Sequence, residues 1–521
     1  MASENPLETI GTGRRVRYAD VVPLGRGDLR LTYRIPEAHS AVGPGSLVVV
    51  PLIGKKEKAL VTGVSDVCDL PEKKIRNLSG ILTEGAVLPP DLLALATWMA
   101  DYYLAPLRIV FEAMVPAPVR EGRKSKRETL LEAIAPVDKG RLEALEKAAP
   151  RQAELLRILM DQGGSVPRAP LLKRMNLSAS VAEGLVQKGL ARVTSEVRVR
   201  ESYVDGLDAE TVVESGPPAL TDEQDAAFAS LEATRKAGGF ACSLLHGVTG
   251  SGKTEVYLRL MENVIAEGGQ ILFLVPEIAL APQTVARVRA RLVSLGANVV
   301  VWHSNLSSGQ RADAFREVAA GRANVVVGAR SAVFAPFRDL RLLLVDEEHE
   351  PAYKQEEAPR YHGRDVAILR AHQVKALCVL GSATPSLETL FNVRQKKYGL
   401  ARLTKRIDDR QLPLLHVVDL RRARAAGKGA GLFSPLLRDK MIERFENGEQ
   451  TILFLNRRGY STTALCPDCG HVAECPHCSI ALTLHRTDNR IRCHLCGYEA
   501  AAPDKCPSCR SVNFRWKGSG T

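Results

Sequence analysis

Apolar residues in this chain change rhythm along its length, and each change marks a region with its own architecture. From residue 1 to about 115, short apolar runs such as Ser46-Leu-Val-Val-Val-Pro-Leu52 and Ala59-Leu-Val-Thr-Gly-Val64 are broken by Gly and Pro. That pattern predicts a small β-rich barrel or sheet, closed by a helix near Asp91 to Tyr103. Lys55-Lys-Glu-Lys58 lies between the two runs and reads as a basic hairpin tip, suited to phosphate or to plain solvation. After the charged linker Arg120-Glu-Gly-Arg-Lys-Ser-Lys-Arg127, helical patterns occupy Gln152 to Met160, Pro170 to Met175 and Val181 to Leu190, followed by a β-like Ala191-Arg-Val-Thr194. Three short helices and a strand predict a winged-helix domain, a fold that binds DNA or serves as a protein contact. Beyond Gly216-Pro-Pro218 the runs Ile271 to Val275, Val299 to Trp302, Val325 to Val327, Leu342 to Val345 and Ala376 to Leu380 alternate with helical segments. Continuous apolar strands in that alternation predict an α/β, doubly wound parallel sheet. The expected domains are 1–118, 119–214, 215–430 and 431–521.

Length and charge narrow the class. A chain of 521 residues is too long for one core. Lys and Arg outnumber Asp and Glu by 71 to 59, a formal charge of +12, which suggests a polyanionic partner such as nucleic acid, although dispersed surface charge gives the same total. No apolar run is long enough to cross a bilayer, and the N-terminus has no apolar signal region; a soluble, cytoplasmic chain is expected. Of 11 cysteines, eight form four CxxC pairs. Cys68, Cys242 and Cys378 stand alone and are expected in the core.

The candidate chemistry centres on Gly247, Val248, Thr249, Gly250, Ser251, Gly252, Lys253 and Thr254, between the apolar run Ser243 to His246 and a helical pattern from Glu255. Strand, glycine-rich turn and helix are the context a phosphate-binding loop requires. Its amides and the helix N-terminus favour an anion. Lys253 would reach the β and γ phosphates, and the Thr254 hydroxyl would ligate Mg²⁺. Asp346-Glu-Glu-His349 follows a buried strand, so Asp346 completes the metal site and Glu347 is placed to deprotonate an attacking water, with Glu348 and His349 beside them. Gly381-Ser-Ala-Thr384 follows another buried strand, where small hydroxyl residues can change partners when the γ-phosphate leaves.

The four pairs Cys466/Cys469, Cys475/Cys478, Cys493/Cys496 and Cys506/Cys509 supply eight thiolates. That is enough for two closed, structural Cys₄ zinc sites, and the sequence leaves three combinations open. His471, His477, His485 and His494 lie among them but are surplus to eight thiolates.

Together with Pro276-Glu-Ile-Ala-Leu-Ala-Pro-Gln283 and Gly328-Ala-Arg-Ser-Ala-Val-Phe334, these motifs resemble those of superfamily 2 helicases. More narrowly, Gly247 to Tyr257, Tyr353-Lys-Gln-Glu-Glu-Ala-Pro-Arg-Tyr-His362 and the CxxC block are similar to the PriA family of primosomal replication-restart helicases. The resemblance implies a RecA-like lobe, a partial second lobe beginning near Glu449-Gln-Thr-Ile-Leu-Phe-Leu-Asn-Arg-Arg-Gly459 and carrying a two-zinc module, and an ATP-dependent 3′ to 5′ DNA helicase that recognises stalled or D-loop forks and initiates primosome assembly. It implies ATP, Mg²⁺ and two Zn²⁺ as cofactors. The implied partners are forked and single-stranded DNA, primosome proteins and single-stranded-DNA-binding protein, for a monomer in the bacterial nucleoid. By resemblance the zinc pairing is nested, with Cys466, Cys469, Cys506 and Cys509 on one ion and Cys475, Cys478, Cys493 and Cys496 on the other. Gln224, ahead of the loop, is similar to a glutamine that meets adenine. Tyr353, Tyr361 and His362 would stack on bases, with Lys354, Arg360 and Arg364 near phosphates.

Two departures qualify the resemblance. Leu31-Thr-Tyr33 stands where the family has a Phe-Asp-Tyr turn that helps capture a 3′ end, leaving general DNA contact as the expectation. No Gln-x-x-Gly-Arg-x-Gly-Arg motif occurs in the 521 residues, so a truncated motor is expected, and a non-unwinding, ATP-binding fork scaffold is the alternative.

Overall fold

The computed structural model describes residues 16–25, 27–123, 127–134, 138–197, 217–276, 282–303, 306–407, 414–419, 433–454, 463–466, 468–485, 488–512 and 515–517. Residues 277–281 of the Pro276 motif, 455–459 of the expected second-lobe start and 518–521 lie outside them. The chain folds as two compact units, Met1–Arg410 and Gln411–Thr521. The first unit's last described strand ends at Leu403.

The first strands, β1 (Arg17–Pro23), β2 (Leu31–Ile35), β3 (Ser46–Leu52), β4 (Lys55–Ser65) and β5 (Gly80–Ala86), make an antiparallel sheet in the order β2-β1-β4-β3-β5. The hairpin tip is Ile53-Gly54, with φ of 46° and 73°, the left-handed pair that a two-residue hairpin needs. Lys55 to Lys58 therefore belong to β4 and pair with β3. Leu31, Thr32 and Tyr33 lie on β2 rather than in a turn. Thr32 Oγ1 donates to Asp20 across the ladder at 2.7 Å, and Tyr33 is buried with its hydroxyl on the Pro51 carbonyl. Cys68, expected inside, is half-exposed.

Helices α1 (Pro90–Tyr102), α2 (Leu107–Met114) and the short α3 (Ala117–Arg120) follow. Their apolar faces, including Leu92, Leu95, Met99, Val110 and Phe111, join one continuous core with the parallel sheet described below. The expected domain 1–118 thus shares its core with the next sheet.

Next come β6 (Arg127–Ala133), α4 (Lys139–Ala148), α5 (Pro150–Gln162), β7 (Val166–Pro167), α6 (Arg168–Arg174), α7 (Ala179–Gln187) and β8 (Ala191–Val197). The helices enclose Leu155, Leu156, Leu159, Leu171 and Leu185 beside an antiparallel sheet ordered β7-β6-β8. Strand β6 and helix α4 are additions to the expected pattern. The stretch Thr129-Leu-Leu-Glu132 becomes a strand because β8 pairs along its whole length.

The central element is a seven-stranded parallel sheet, ordered β11-β12-β10-β13-β14-β9-β15. Its strands are β9 (Ala241–Gly247), β10 (Gln270–Leu274), β11 (Val299–Trp302), β12 (Val325–Gly328), β13 (Leu340–Val345), β14 (Leu377–Ser382) and β15 (Gly399–Leu403). Its helices are α8 (Asp222–Lys236), α9 (Lys253–Ala266), α10 (Pro282–Val293), α11 (Ser308–Ala319), α12 (Gly363–Val374) and α13 (Leu387–Arg394). All five predicted apolar runs become strands, and two separate cores cover the two faces, which is why these strands are apolar throughout. Cys242 and Cys378 face each other in register between β9 and β14 and are buried, as expected.

In the second unit α14 (Pro435–Glu446) precedes an antiparallel sheet ordered β19-β18-β17-β16-β20, built from β16 (Thr463–Leu465), β17 (Thr483–His485), β18 (Arg490–Arg492), β19 (Glu499–Ala501) and β20 (Arg515–Lys517). Thr451 to Phe454, within the expected start of the second lobe, is unpaired among the described residues, and Ile452 is exposed.

Candidate functional site

The phosphate-binding loop leaves the C-terminal end of β9 and enters α9 at Lys253. Gly252 has φ 79°, and a Cβ there would lie 2.2 Å from Gln224 Nε2, so only glycine fits the turn. The first two amides of α9, those of Lys253 and Thr254, have no intrahelical acceptor, whereas that of Glu255 donates to the Gly252 carbonyl at 3.0 Å. Ser251 Oγ is buried without a hydrogen-bond partner, an orphan that an incoming phosphate oxygen would satisfy. Lys253 is buried, donates to the Gly247 carbonyl at 3.0 Å and lies 3.8 Å from Glu347.

Asp346 and Glu347 sit at the end of β13, two strands from β9. Burial, and next the Glu347 charge, push the Asp346 carboxyl above its usual range, opposed by Lys253 and by a Tyr257 hydrogen bond. A half-buried carboxylate facing a lysine, with the Thr254 hydroxyl at the start of α9, is the hard-oxygen donor set that Mg²⁺ accepts. Glu347 has φ 43°, a left-handed conformation that a non-glycine residue holds at a cost and that is common at catalytic positions. His349 lies 3.7 Å from Glu347, and its two ring nitrogens meet Ser382 Oγ at 2.8 Å and Thr384 Oγ1 at 3.3 Å. The Asp346 to His349 turn and the Gly381 to Thr384 turn are thereby one hydrogen-bonded unit.

Two predicted nucleotide residues serve differently. Glu348 is fully buried and turned away from the loop. It accepts from Arg364 at 2.8 Å, from the Ser386 amide at 2.7 Å and from Thr389 at 3.0 Å, so it pins the start of α13 instead of facing a nucleotide. Gln224 completes a capping box with Thr221 and donates to the Ser251 carbonyl at 3.0 Å; its amide is engaged at both ends in holding the loop.

The predicted DNA residues also divide. Tyr353 and Tyr361 are almost fully buried. The Tyr353 hydroxyl donates to the Asp346 carbonyl at 2.7 Å and the Tyr361 ring packs on Phe334, so neither ring is open to a base. Arg364 is held by Glu348, Asp365 and Ser386, which removes it from any phosphate. His362 is half-buried, and burial lowers its pKa. Lys354 and Arg360 are exposed. Lys354 borders a cleft of about 600 Å³ that Arg311, Arg330 and Ser331 also line.

The four CxxC pairs fold alike. In each, the first cysteine amide donates to the carbonyl five residues on, and the amide four residues on returns to the first cysteine's carbonyl. That fourth residue, Gly470, Ser479, Gly497 or Arg510, always has positive φ. The turns bring Cys466, Cys469, Cys506 and Cys509 together, and separately Cys475, Cys478, Cys493 and Cys496, each set within 4.8 Å. This is the nested pairing. Sulfur separations of 3.6 Å for Cys466–Cys509, Cys469–Cys506 and Cys475–Cys496 match the roughly 3.8 Å edge of a zinc–thiolate tetrahedron. Hydrogen bonding from the Cys496 amide lowers the Cys493 thiol to about 7, while the hydrogen bond with the Cys496 sulfur raises Cys478 to about 12. No histidine enters either cluster among the described residues.

Comparison with known proteins agrees with this division. A family model for the 3'DNA-binding domain (3'BD) of PriA matches residues 21–116, one for DEAD/DEAH box helicases matches 221–393, and one for the PriA DNA helicase Cys-rich region (CRR) domain matches 475–500. The replication restart protein PriA of Bacillus subtilis (strain 168) is 36% identical over 558 residues, which span 95% of this chain and 68% of that protein. The chain belongs to the PriA family of replication-restart helicases. PriA of Chlamydia pneumoniae is also 36% identical, over 97% of this chain and 67% of its own length. PriA of Haemophilus influenzae is 35% identical with the same coverage.

Within this PriA-family chain, residue patterns missed one feature of the site's geometry, the pair of tyrosine hydroxyls on Asp346. Tyr257 lies four residues after Lys253, on the same face of α9 one turn along, and that spacing was the available signal. No helix of the described residues is long and apolar enough to cross a membrane.

Proposed function

We propose that this chain binds MgATP at Gly247 to Thr254 and uses its hydrolysis to move 3′ to 5′ along single-stranded DNA at a replication fork. The observation that carries the reading is the continuous link from Lys253 through Glu347 and His349 to Ser382 and Thr384. The loop amides and Lys253 hold the phosphates, Thr254 and Asp346 hold Mg²⁺, and Glu347 takes the proton of the attacking water. The bound nucleotide supplies the γ-phosphoryl group and the metal ion neutralises its charge. His349 senses Glu347 on one side and the two hydroxyls on the other, so a change at the γ-phosphate has a direct route to β14. Family membership favours this motor over a non-unwinding scaffold.

DNA contact rests on the N-terminal sheet and on the cleft beside Lys354. Primosome proteins, single-stranded-DNA-binding protein and a nucleoid location belong to the same proposal, as do a monomeric state and a winged-helix role for β6 to β8.

Hydrolysis of ATP stimulated by single-stranded DNA tests the reading. Lys253→Ala is expected to lower turnover by about 10²- to 10³-fold, as for loss of one preorganised charge-stabilising donor. Fork binding with no stimulated turnover in the unmodified chain would instead support the scaffold. DNA affinity should fall as salt rises, and Lys354→Ala should reduce the slope of log K against log salt by about 1 without altering sequence preference. An unchanged slope would remove Lys354 from the interface.

A further inference from the structure

Tyr257 is fully buried in α9, its ring tilted against Phe273 with centroids 5.6 Å apart. Its hydroxyl crosses to the next strand but one and donates to Asp346 Oδ1 at 3.1 Å. The passage is open because residue 381 is glycine: a Cβ there would lie 1.5 Å from the Tyr257 hydroxyl oxygen, 2.8 Å from its Cζ and 3.3 Å from Asp346 Oδ1. A second buried hydroxyl, that of Tyr353, holds the Asp346 main-chain carbonyl at 2.7 Å. Side chain and backbone of one carboxylate are thus fixed from opposite sides of the sequence.

Phenylalanine would supply the same ring packing, so burial alone does not call for the hydroxyl. What the hydroxyl adds is a fixed orientation of Asp346, the residue placed to receive a cation with Thr254. We infer that Tyr257 is a positioning residue for the magnesium site, its hydroxyl setting the Asp346 carboxylate and Gly381 keeping the space through which it reaches. The inference rests on the MgATP reading above. Partners that orient a metal-ligating group commonly alter metal affinity by about 10- to 100-fold when removed.

The test is binding of a fluorescent ATP analogue to the full chain, titrated with Mg²⁺. Tyr257→Phe is expected to raise the half-saturating Mg²⁺ concentration about tenfold, while nucleotide binding without Mg²⁺ and the melting temperature stay near the unmodified values. Gly381→Ala should shift the Mg²⁺ midpoint in the same direction by displacing the hydroxyl, and should add little to the shift already caused by Tyr257→Phe. A purely structural tyrosine would lower the melting temperature and leave the midpoint where it was. An unshifted midpoint in Tyr257→Phe overturns the inference while leaving the nucleotide site standing. An unmodified chain that binds no analogue at any Mg²⁺ concentration overturns the nucleotide reading and the inference with it.

Discussion

Chelating metal from this protein is expected to unfold the cysteine-rich part of the second unit while the parallel sheet of the first stays folded. Among the described residues the two clusters bury almost no apolar core of their own. One buries Cys466, Ala473 and Cys506, the other Cys475, Leu482, Ile491 and Cys493, so half or more of the buried residues are the thiol ligands themselves. Strands of three residues, β16 to β20, cannot hold a sheet without such support. Structural zinc contributes about 10–16 kcal/mol of apparent binding energy near neutral pH, far more than these side chains supply. Elemental analysis should find two zinc ions per chain. Hydrogen exchange after chelation should show protection lost at 463–517 and retained in β9 to β14. Protection that persists in the metal-free second unit would refute the Cys₄ reading.

Asp91→Ala is expected to destabilise the first unit by about 3–5 kcal/mol, the usual result of stranding one partner of a buried ion pair. Arg370, on α12, is completely buried. Its Nε donates to Asp91 at 3.0 Å, Nη2 lies 2.9 Å from the same carboxylate, Nη1 donates to the Val333 carbonyl at 2.7 Å, and the guanidinium lies over Phe337. Asp91 stands in the first turn of α1, so this pair ties the N-terminal helices to the helicase sheet. Burial lowers the Arg370 pKa despite the carboxylate, so desolvation outweighs what Asp91 returns. Replacing both residues with apolar side chains of similar volume, as in Asp91→Leu with Arg370→Met, should recover most of the loss. Denaturant melts of the single and double variants measure it. A single variant within about 0.5 kcal/mol of the parent would mean that water reaches the pair.

How much of this was legible beforehand depended on the range of the interaction. Apolar continuity marked five strands of the parallel sheet, because strands covered on both faces have no polar alternation to preserve. Gly250, Gly252 and Lys253 announced the loop, since left-handed backbone and an anion-facing helix start require those residue types. Strand β6 was hidden in a short, partly charged stretch whose partner, β8, lies about sixty residues away.

The aromatic loop after His349 misled for the same reason. Tyr353 and Tyr361 look like an exposed stacking surface beside charged neighbours, yet the loop folds back and spends both rings on the core. Arg364 and Glu348 each look available, and neutralise each other inside the protein.

The sequence by itself determined the kinds of chemistry present: a phosphate loop, an acidic metal-and-base pair and eight thiolates in four half-tetrahedra. Each is encoded within a few consecutive residues, where backbone conformation and side-chain type are linked directly. Only the tertiary structure decided which of three cysteine combinations forms, that Gln224 braces the loop, and that Tyr257 meets Asp346 across 89 residues. Those outcomes depend on which strands become neighbours in the sheet, and neighbours are chosen by burying the whole core at once.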